Sequence, residues 1–196
     1  MSAAAPPDSP DTVLVYAWRH PRPEGAEGFC IGHTDLGVDR RKARRLAYRM
    51  RDLARRHHLP RQVVTSPLRR CADVGRILRS WGWVHRIDPA LIEMDFGQWD
   101  GRRWGMVPQE AVDAWCSDLL HNSAGGGETL LSLLRRVHAW QPGSARLMVG
   151  HAGWLCAAAW IAQHGCAAIG TPISADAWPA APGYAKCSTL VRVLYA

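Results

Sequence analysis

Val13-Leu14-Val15-Tyr16-Ala17-Trp18, followed by Arg19-His20-Pro21, is the segment that says most about the fold. Its first six residues are all apolar and include β-branched and aromatic side chains, which predicts a short buried strand. Polar residues and a proline then end the run. A continuous apolar strand of this kind is typical of parallel sheets that are covered by helices on both faces.

The rest of the chain alternates between short apolar runs and helical patterns. We predict further strands at 62–65, 84–87, 146–149 and 189–194, and helices between Asp39 and Pro60, from Ser66 to Trp81, and at 107–120, 128–140 and 153–163. Asp39 and Ser66 stand at the N-cap positions of the first two helices, and Pro67 follows Ser66 at a first helical position. This alternation predicts the α/β class, as a three-layer α/β/α fold with a mainly parallel central sheet.

Length and composition indicate a single globular domain. The chain has 196 residues, of which 47% are hydrophobic and 21% are charged, and one domain commonly takes about 100–200 residues. We expect residues 1–12, rich in Pro, Ala and Ser, to form a disordered N-terminal lead, and residues 13–196 to form one domain.

No segment predicts a membrane span or a secretory signal. The longest apolar stretch, from Gly153 to Ala162, is far shorter than the ~20 residues that span a bilayer. The N-terminus has neither a basic region nor an apolar one of the kind that a signal peptide requires. The sequence therefore predicts no membrane partner and a cytoplasmic location.

The cysteines predict neither a metal site nor a disulfide framework. Six of them are scattered along the chain without a C-x-x-C pair, and a chain of this size needs no such staple. We predict reduced, mostly buried thiols, no bound metal and no cofactor.

Positive charge is concentrated in one part of the sequence. The formal net charge is +7, and the densest basic segment runs from Arg40 to Arg61. Basic residues on a helix usually form a solvated face, and the sequence contains no zinc finger or aromatic-interleaved basic strand. We therefore predict no nucleic-acid partner, although a nucleic-acid-binding domain that uses this helix remains an alternative. The oligomeric state is left open.

Three groups of polar residues follow directly after predicted strands. Arg19-His20 follows the first strand, Ser66-Pro67-Leu68-Arg69-Arg70 the second, and Gly150-His151-Ala152-Gly153 the fourth. The carboxyl ends of parallel strands form the ligand crevice of an open α/β sheet. Two histidines and at least two arginines are therefore predicted to meet in one crevice.

These residue types suit the chemistry of a phosphate ester. Guanidinium groups match phosphoryl oxygens and stay charged at any relevant pH, and a neutral histidine can be a nucleophile. Cleavage of the ester also needs an acid that gives a proton to the leaving oxygen. Glu93 and Asp95 lie in the segment Leu91-Ile92-Glu93-Met94-Asp95-Phe96-Gly97, where a partly apolar setting favours acid–base work; a turn beside a strand end is the alternative.

Together these motifs resemble the histidine phosphatase (phosphoglycerate mutase-like) superfamily. The matching residues are Arg19-His20, Ser66-x-Leu68-x-Arg70, Glu93, Gly97-x-Trp99-Asp100-Gly101 and Gly150-His151-Ala152-Gly153, in the family's order. The segment from Glu93 to Gly101, with Gly127-Glu128-Thr129, is most similar to the α-ribazole phosphatase branch.

The resemblance implies a role for each matching residue. His20 would be the phosphorylated nucleophile, and Arg19, Arg70 and His151 would bind the phosphoryl oxygens. Glu93 would give a proton to the leaving alcohol and then act as base for the hydrolytic water. The resemblance requires no metal for this mechanism.

The loop after His20 departs from the family pattern. Pro21 and Pro23 stand where most members have glycine and hydrogen-bond donors, and proline has no N–H to donate. Arg22 is a candidate to compensate by binding phosphate. His33, in a loop where relatives often place an arginine, is a further candidate for substrate binding.

The predicted function is a phosphomonoesterase that works through a phosphohistidine intermediate on a small phosphorylated substrate. The resemblance implies hydrolysis of α-ribazole 5′-phosphate to α-ribazole, in the cobalamin biosynthesis step that assembles the nucleotide loop. The alternatives are a phosphatase for another small metabolite or for protein phosphohistidine, and a non-catalytic module that binds a phosphate ester.

Overall fold

The computed structural model describes residues 12–194 and shows an α/β fold around a five-stranded sheet. The strands are β1 Thr12–Arg19, β2 Gln62–Thr65, β3 Val84–Ile87, β4 Leu147–Gly150 and β5 Cys187–Val193. Their order is β3-β2-β4-β1-β5, with β5 antiparallel to β1 and all other pairs parallel. The predicted fold class, with a mainly parallel sheet, is confirmed.

Helices cover both faces of the sheet. The α-helices are α1 Arg40–Arg56, α2 Arg69–Ser80, α3 Gln109–Ser117, α4 Leu130–Ala139 and α5 Ala152–His164. Short 3₁₀ turns lie at Pro89–Leu91, Gly97–Trp99, Trp104–Met106, Ala124–Gly126, Cys166–Ala168 and Ala175–Ala177. One apolar cluster joins α1 and α2 to the sheet through Trp18, and the other joins α4 and α5 to it through Val15 and Ala17. Because neighbouring residues of β1 face opposite sides, its apolar run serves both clusters.

Asp39 caps α1 as its sequence predicts. Its carboxylate accepts the backbone N–H groups of Arg41 (2.7 Å) and Lys42 (3.1 Å), which have no partner inside the first helical turn. The boundary between the preceding loop and α1 is therefore fixed by local hydrogen bonds to Asp39.

Ser66 does not cap α2, and this prediction is wrong. The helix begins three residues later, with Leu68 at the N-cap position and no side-chain cap. Ser66 Oγ instead lies 2.7 Å from His151 Nε2 and accepts the Leu68 N–H at 3.3 Å. The serine is drawn into a buried side-chain contact in place of a helix cap.

The predicted N-terminal lead lies outside the described residues, apart from Thr12. Thr12 is already part of β1 and pairs with Val193, so the strand begins one residue earlier than predicted. Between residues 12 and 194, no helix combines the length and the apolarity needed to cross a bilayer. The assignment of residues 13–196 to one domain stays a prediction.

Candidate active site

The parallel strands bring polar groups to one edge of the sheet. Arg19, at the end of β1, pairs in register with Gly150 at the end of β4. The His20 N–H donates to Gly150 O at 3.0 Å, and the Ser66 N–H donates to Val149 O at 3.1 Å. The segments that follow β1, β2 and β4 are therefore tied together by backbone hydrogen bonds.

His20 is buried and held in one tautomer. Its side chain is next to the Pro21 carbonyl, with Nδ1 2.8 Å from that oxygen. A carbonyl only accepts, so Nδ1 carries the hydrogen and Nε2 keeps its lone pair. Burial, together with the charge of Arg70, lowers the pKa of His20 to about 3. The ring is therefore a neutral imidazole at neutral pH, which is the form that a nucleophile needs.

Arg70 lies next to His20 and is almost completely buried. NH1 donates to Thr34 O at 2.7 Å, NH2 donates to Gly32 O at 2.5 Å, and Nε donates to His151 Nδ1 at 3.3 Å. Because a guanidinium has five N–H groups, two remain for a ligand. These backbone carbonyls fix the guanidinium plane before any substrate binds.

His151 packs against His20 with no exposed surface. The two ring centroids are 5.1 Å apart. Since Nδ1 accepts from Arg70, the hydrogen lies on Nε2 and is donated to Ser66 Oγ at 2.7 Å. Burial, followed by the charges of His20 and Arg70, lowers the pKa of His151 well below its usual range. Both ring nitrogens are therefore occupied, and the ring is neutral.

Arg19 is positioned by a residue that the sequence analysis missed. Its guanidinium carbon lies 3.8 Å above the Tyr184 ring, and NH1 donates to Pro182 O at 2.9 Å. The buried Nε has no hydrogen-bond partner within the described part of the chain. Tyr184 belongs to no sequence motif, so its contact with Arg19 could be found only from the structure.

Glu93 is held at the N-terminus of α5. Its carboxylate is buried and accepts the N–H groups of Met94 (3.0 Å), Gly153 (3.1 Å) and Trp154 (3.2 Å). Free backbone N–H groups and the helix dipole stabilise a negative charge there. Asp95 is not part of this group: its Oδ1 accepts the Gly97 N–H at 2.8 Å and forms a turn.

The two remaining candidates lie at different distances from the site. His33 Nε2 is 2.9 Å from the Glu93 carbonyl oxygen, so His33 supports the loop that carries the acid. Arg22 is at the surface with 59% of its side chain exposed, 3.9 Å from Glu27 and 5.4 Å from the centre of the Tyr184 ring. The structure brings His33 to Glu93 but leaves Arg22 at the rim.

A cavity of about 370 Å³ lies at this edge of the sheet, and neither Glu93 nor His151 is among its lining residues. Arg19, His20 and Arg70 supply its charged and polar lining, and its other lining residues are Pro23, Ala26, Phe29, Ile31, Phe96, Trp104, Ala152, Ala181 and Tyr184. From residue 12 to 194, no cluster of three or more side chains suited to a metal ion occurs. The cavity therefore offers a neutral imidazole beside fixed positive charge, which can attack and stabilise a phosphoryl group.

Comparison with known families gives one match that covers most of the chain. A sequence model described as the histidine phosphatase superfamily (branch 1) matches residues 15–173. No protein with curated function matches this chain in sequence.

Solved structures with the same fold include two named phosphatases. A mycobacterial glucosyl-3-phosphoglycerate phosphatase is 22% identical with a TM-score of 0.69, and the alignment covers 92% of this chain and 91% of that one. The alpha-ribazole phosphatase from Shigella flexneri is 20% identical with a TM-score of 0.64, covering 93% and 95%. At these identities the likeness shows the fold alone.

Proposed function

The chain belongs to the histidine phosphatase superfamily (branch 1), and from that premise we propose that it hydrolyses phosphate monoesters through a phosphohistidine intermediate. The observation that carries this proposal is the state of His20. The Pro21 carbonyl holds the hydrogen on Nδ1, and the lone pair of Nε2 belongs to a ring that lines the cavity. The proline that departs from the family pattern therefore orients the nucleophile through its carbonyl.

In the first step, His20 Nε2 attacks phosphorus. A nitrogen–phosphorus bond forms while the bond from phosphorus to the ester oxygen breaks, and Glu93 gives its proton to the departing alcohol. Arg19 and the two unused N–H groups of Arg70 bind the phosphoryl oxygens, where negative charge develops.

In the second step, Glu93 accepts a proton from water as the water oxygen attacks phosphorus. The nitrogen–phosphorus bond breaks, inorganic phosphate leaves, and His20 returns to its neutral state. The N–H groups of Gly153 and Trp154 stabilise the carboxylate that serves as base. His151 orients Arg70 through Nδ1, and it would bind phosphate directly by exchanging its Ser66 contact for a phosphoryl oxygen.

α-Ribazole 5′-phosphate is the substrate that we propose, as part of cobalamin nucleotide-loop assembly in the cytoplasm. Support comes from the segment Glu93-Met94-Asp95-Phe96-Gly97-Gln98-Trp99-Asp100-Gly101, which resembles the α-ribazole phosphatase branch. The Shigella flexneri protein of that name has the same fold over most of both chains.

Phosphate release from α-ribazole 5′-phosphate in EDTA tests this function. The wild type should release phosphate, His20→Ala should release none, and His121→Ala, which alters an exposed histidine, should behave as wild type. Glu93→Gln should release little phosphate from this ester, since it lacks both the acid of the first step and the base of the second. With p-nitrophenyl phosphate, whose leaving group needs no proton, the same variant should accumulate protein that carries one phosphoryl group, visible by intact mass. Full activity of His20→Ala would disprove the intermediate.

A second ester in the same assay separates the alternatives. Release from benzyl phosphate but not from α-ribazole 5′-phosphate would identify a phosphatase with another substrate. Binding of both esters without release of phosphate would identify a non-catalytic binding module.

A further inference from the structure

The cavity has two kinds of lining, a charged or polar one and an apolar, aromatic one. Its charged and polar lining comes from Arg19, His20 and Arg70, and among the other lining side chains just Tyr184 and Trp104 carry a polar group. Four of the walls are aromatic rings, from Phe29, Phe96, Trp104 and Tyr184. Because the two guanidinium groups are needed for the phosphoryl oxygens, the space left for the rest of a substrate is apolar and aromatic.

Trp104 presents an indole ring that the fold covers only in part. It is 42% exposed, and it is the one exposed large hydrophobic side chain of the described chain that lines this cavity. Exposed aromatic surface in a cleft commonly marks a place where a ligand binds.

The indole is nevertheless held in one orientation. Its ring packs edge-on against Phe96 (centroids 6.1 Å apart, 84° between planes) and against Trp99 (6.4 Å, 69°). The backbone N–H of Trp104 donates to Gly28 O at 2.9 Å, which fixes the loop that carries the indole. A ring fixed in this way loses little side-chain entropy when a ligand stacks on it.

We propose that this aromatic part of the cavity is the leaving-group subsite, and that it selects phosphate esters whose alcohol carries a planar aromatic ring. Trp104 and Phe96 are the residues that determine this specificity. The inference rests on the proposed phosphatase function, and it does not depend on α-ribazole as the particular alcohol.

The same walls disfavour sugars and hydroxy acids as leaving groups. A hydroxyl that loses water on binding needs a hydrogen-bond partner, and beyond Arg19, His20 and Arg70 the lining side chains carry just two polar groups, the Tyr184 hydroxyl and the Trp104 indole N–H. A carboxylate would compete with the phosphoryl group for Arg19 and Arg70. An aromatic ring has no hydroxyl to desolvate and no carboxylate to compete for the arginines, and it gains stacking contacts.

Three esters of primary alcohols test the subsite: benzyl phosphate, cyclohexylmethyl phosphate and glycerol 3-phosphate. The first two alcohols match in size and differ in planarity and aromatic character. We expect kcat/KM for benzyl phosphate to exceed that for cyclohexylmethyl phosphate by about tenfold, and that for glycerol 3-phosphate by about a hundredfold, from the usual strength of ring stacking.

Variants assign the preference to Trp104. Trp104→Leu should bring the benzyl and cyclohexylmethyl esters to equal kcat/KM, mainly through a higher KM for the benzyl ester, whereas Trp104→Phe should retain part of the preference. Met106→Ala, which removes a 73% exposed neighbour that does not line the cavity, should keep the wild-type ratio. Equal rates for all three esters, or an unchanged ratio in Trp104→Leu, would overturn the subsite.

The outcome for the subsite is distinct from the outcome for the proposed function. If no ester releases phosphate, the phosphatase proposal fails, and the subsite is then tested by binding alone. Benzylphosphonate should still bind about tenfold more tightly than cyclohexylmethylphosphonate to the wild type, and equally to Trp104→Leu. Equal binding of the two phosphonates by the wild type would overturn the subsite.

Discussion

At the scale of single residues, the two neutral histidines couple stability to pH. His20 and His151 are buried in contact with each other, and burial with nearby positive charge lowers both pKa values, that of His20 to about 3. An unfolded chain protonates these rings near pH 6.5, so below that pH it binds protons that the folded protein does not bind. Acid therefore favours unfolding.

We expect the free energy of unfolding to fall as the pH is lowered from about 6.5 to 5. Each histidine contributes a slope of about 1.4 kcal/mol per pH unit in the lower part of this range. Urea unfolding at fixed pH values measures the slope of the unfolding free energy against pH. His20→Asn should reduce this slope by about 1.4 kcal/mol per pH unit, the contribution of one histidine. A stability that stays constant over this range in the wild type would contradict the buried neutral pair.

Arg19, His20, Arg70 and His151 could be identified from the sequence because each lies at the end of a strand or within five residues after it. Their contacts could not be read in the same way. Tyr184 under Arg19 and the Thr34 and Gly32 carbonyls on Arg70 come from loops distant in sequence. For Arg22, the sequence shows a charge but not the direction of a side chain, which the structure places at the rim.

At the scale of secondary-structure elements, the N-terminus of α5 sets the position of Glu93. Gly153 is in the first turn of that helix, and a Cβ atom there would lie 2.6 Å from Glu93 Oε1. Gly153→Ala should therefore displace the carboxylate, even though alanine is the better helix former by about 1 kcal/mol.

We expect Gly153→Ala to fold and to lose roughly a hundredfold in kcat, the scale of effect known for a small displacement of a catalytic group. The test is a double-mutant cycle: in a Glu93→Gln background the same change should cost little further activity. Equal losses in both backgrounds would show that the glycine acts independently of Glu93.

Strand positions could be predicted closely, whereas one helix could not. The strands at 62–65 and 84–87 are found as predicted, because short apolar runs bounded by turns leave few alternatives. The helix predicted over 107–120 covers only Gln109–Ser117. Pro108 disfavours a helical Val107 before it, and the buried Leu119 and Leu120 continue the apolar pattern as loop residues that pack into the core.

At the scale of the whole molecule, the positive charge is localised. Residues 40–61 contain ten Lys and Arg and one Asp, a net charge of +9, so the rest of the chain, with fourteen basic and sixteen acidic residues, carries −2. All nine basic residues of α1 are exposed, and several repel each other at a spacing of four residues.

Salt should therefore stabilise the protein by screening α1. We expect Tm to rise by roughly 2–4 °C between low salt and 0.3 M NaCl, since screening removes several unfavourable pairs of a few tenths of a kcal/mol each. Arg45→Glu places a carboxylate between Arg41 and Arg49 and should reduce this rise, whereas Arg135→Glu on α4 should not. A Tm that is independent of salt would show that the repulsion is negligible.

Because β1 is an interior strand, the nucleophile at its end should resist unfolding longer than the loop residues that select the substrate. β1 is hydrogen-bonded to β4 on one side and to β5 on the other, and it ends directly at the nucleophile. Interior strands open only when the whole domain unfolds, while surface loops open far more readily. Under mild denaturation or partial proteolysis, we expect the loop that carries Trp104 to open before β1 does, so discrimination among esters should decline before the nucleophile is lost.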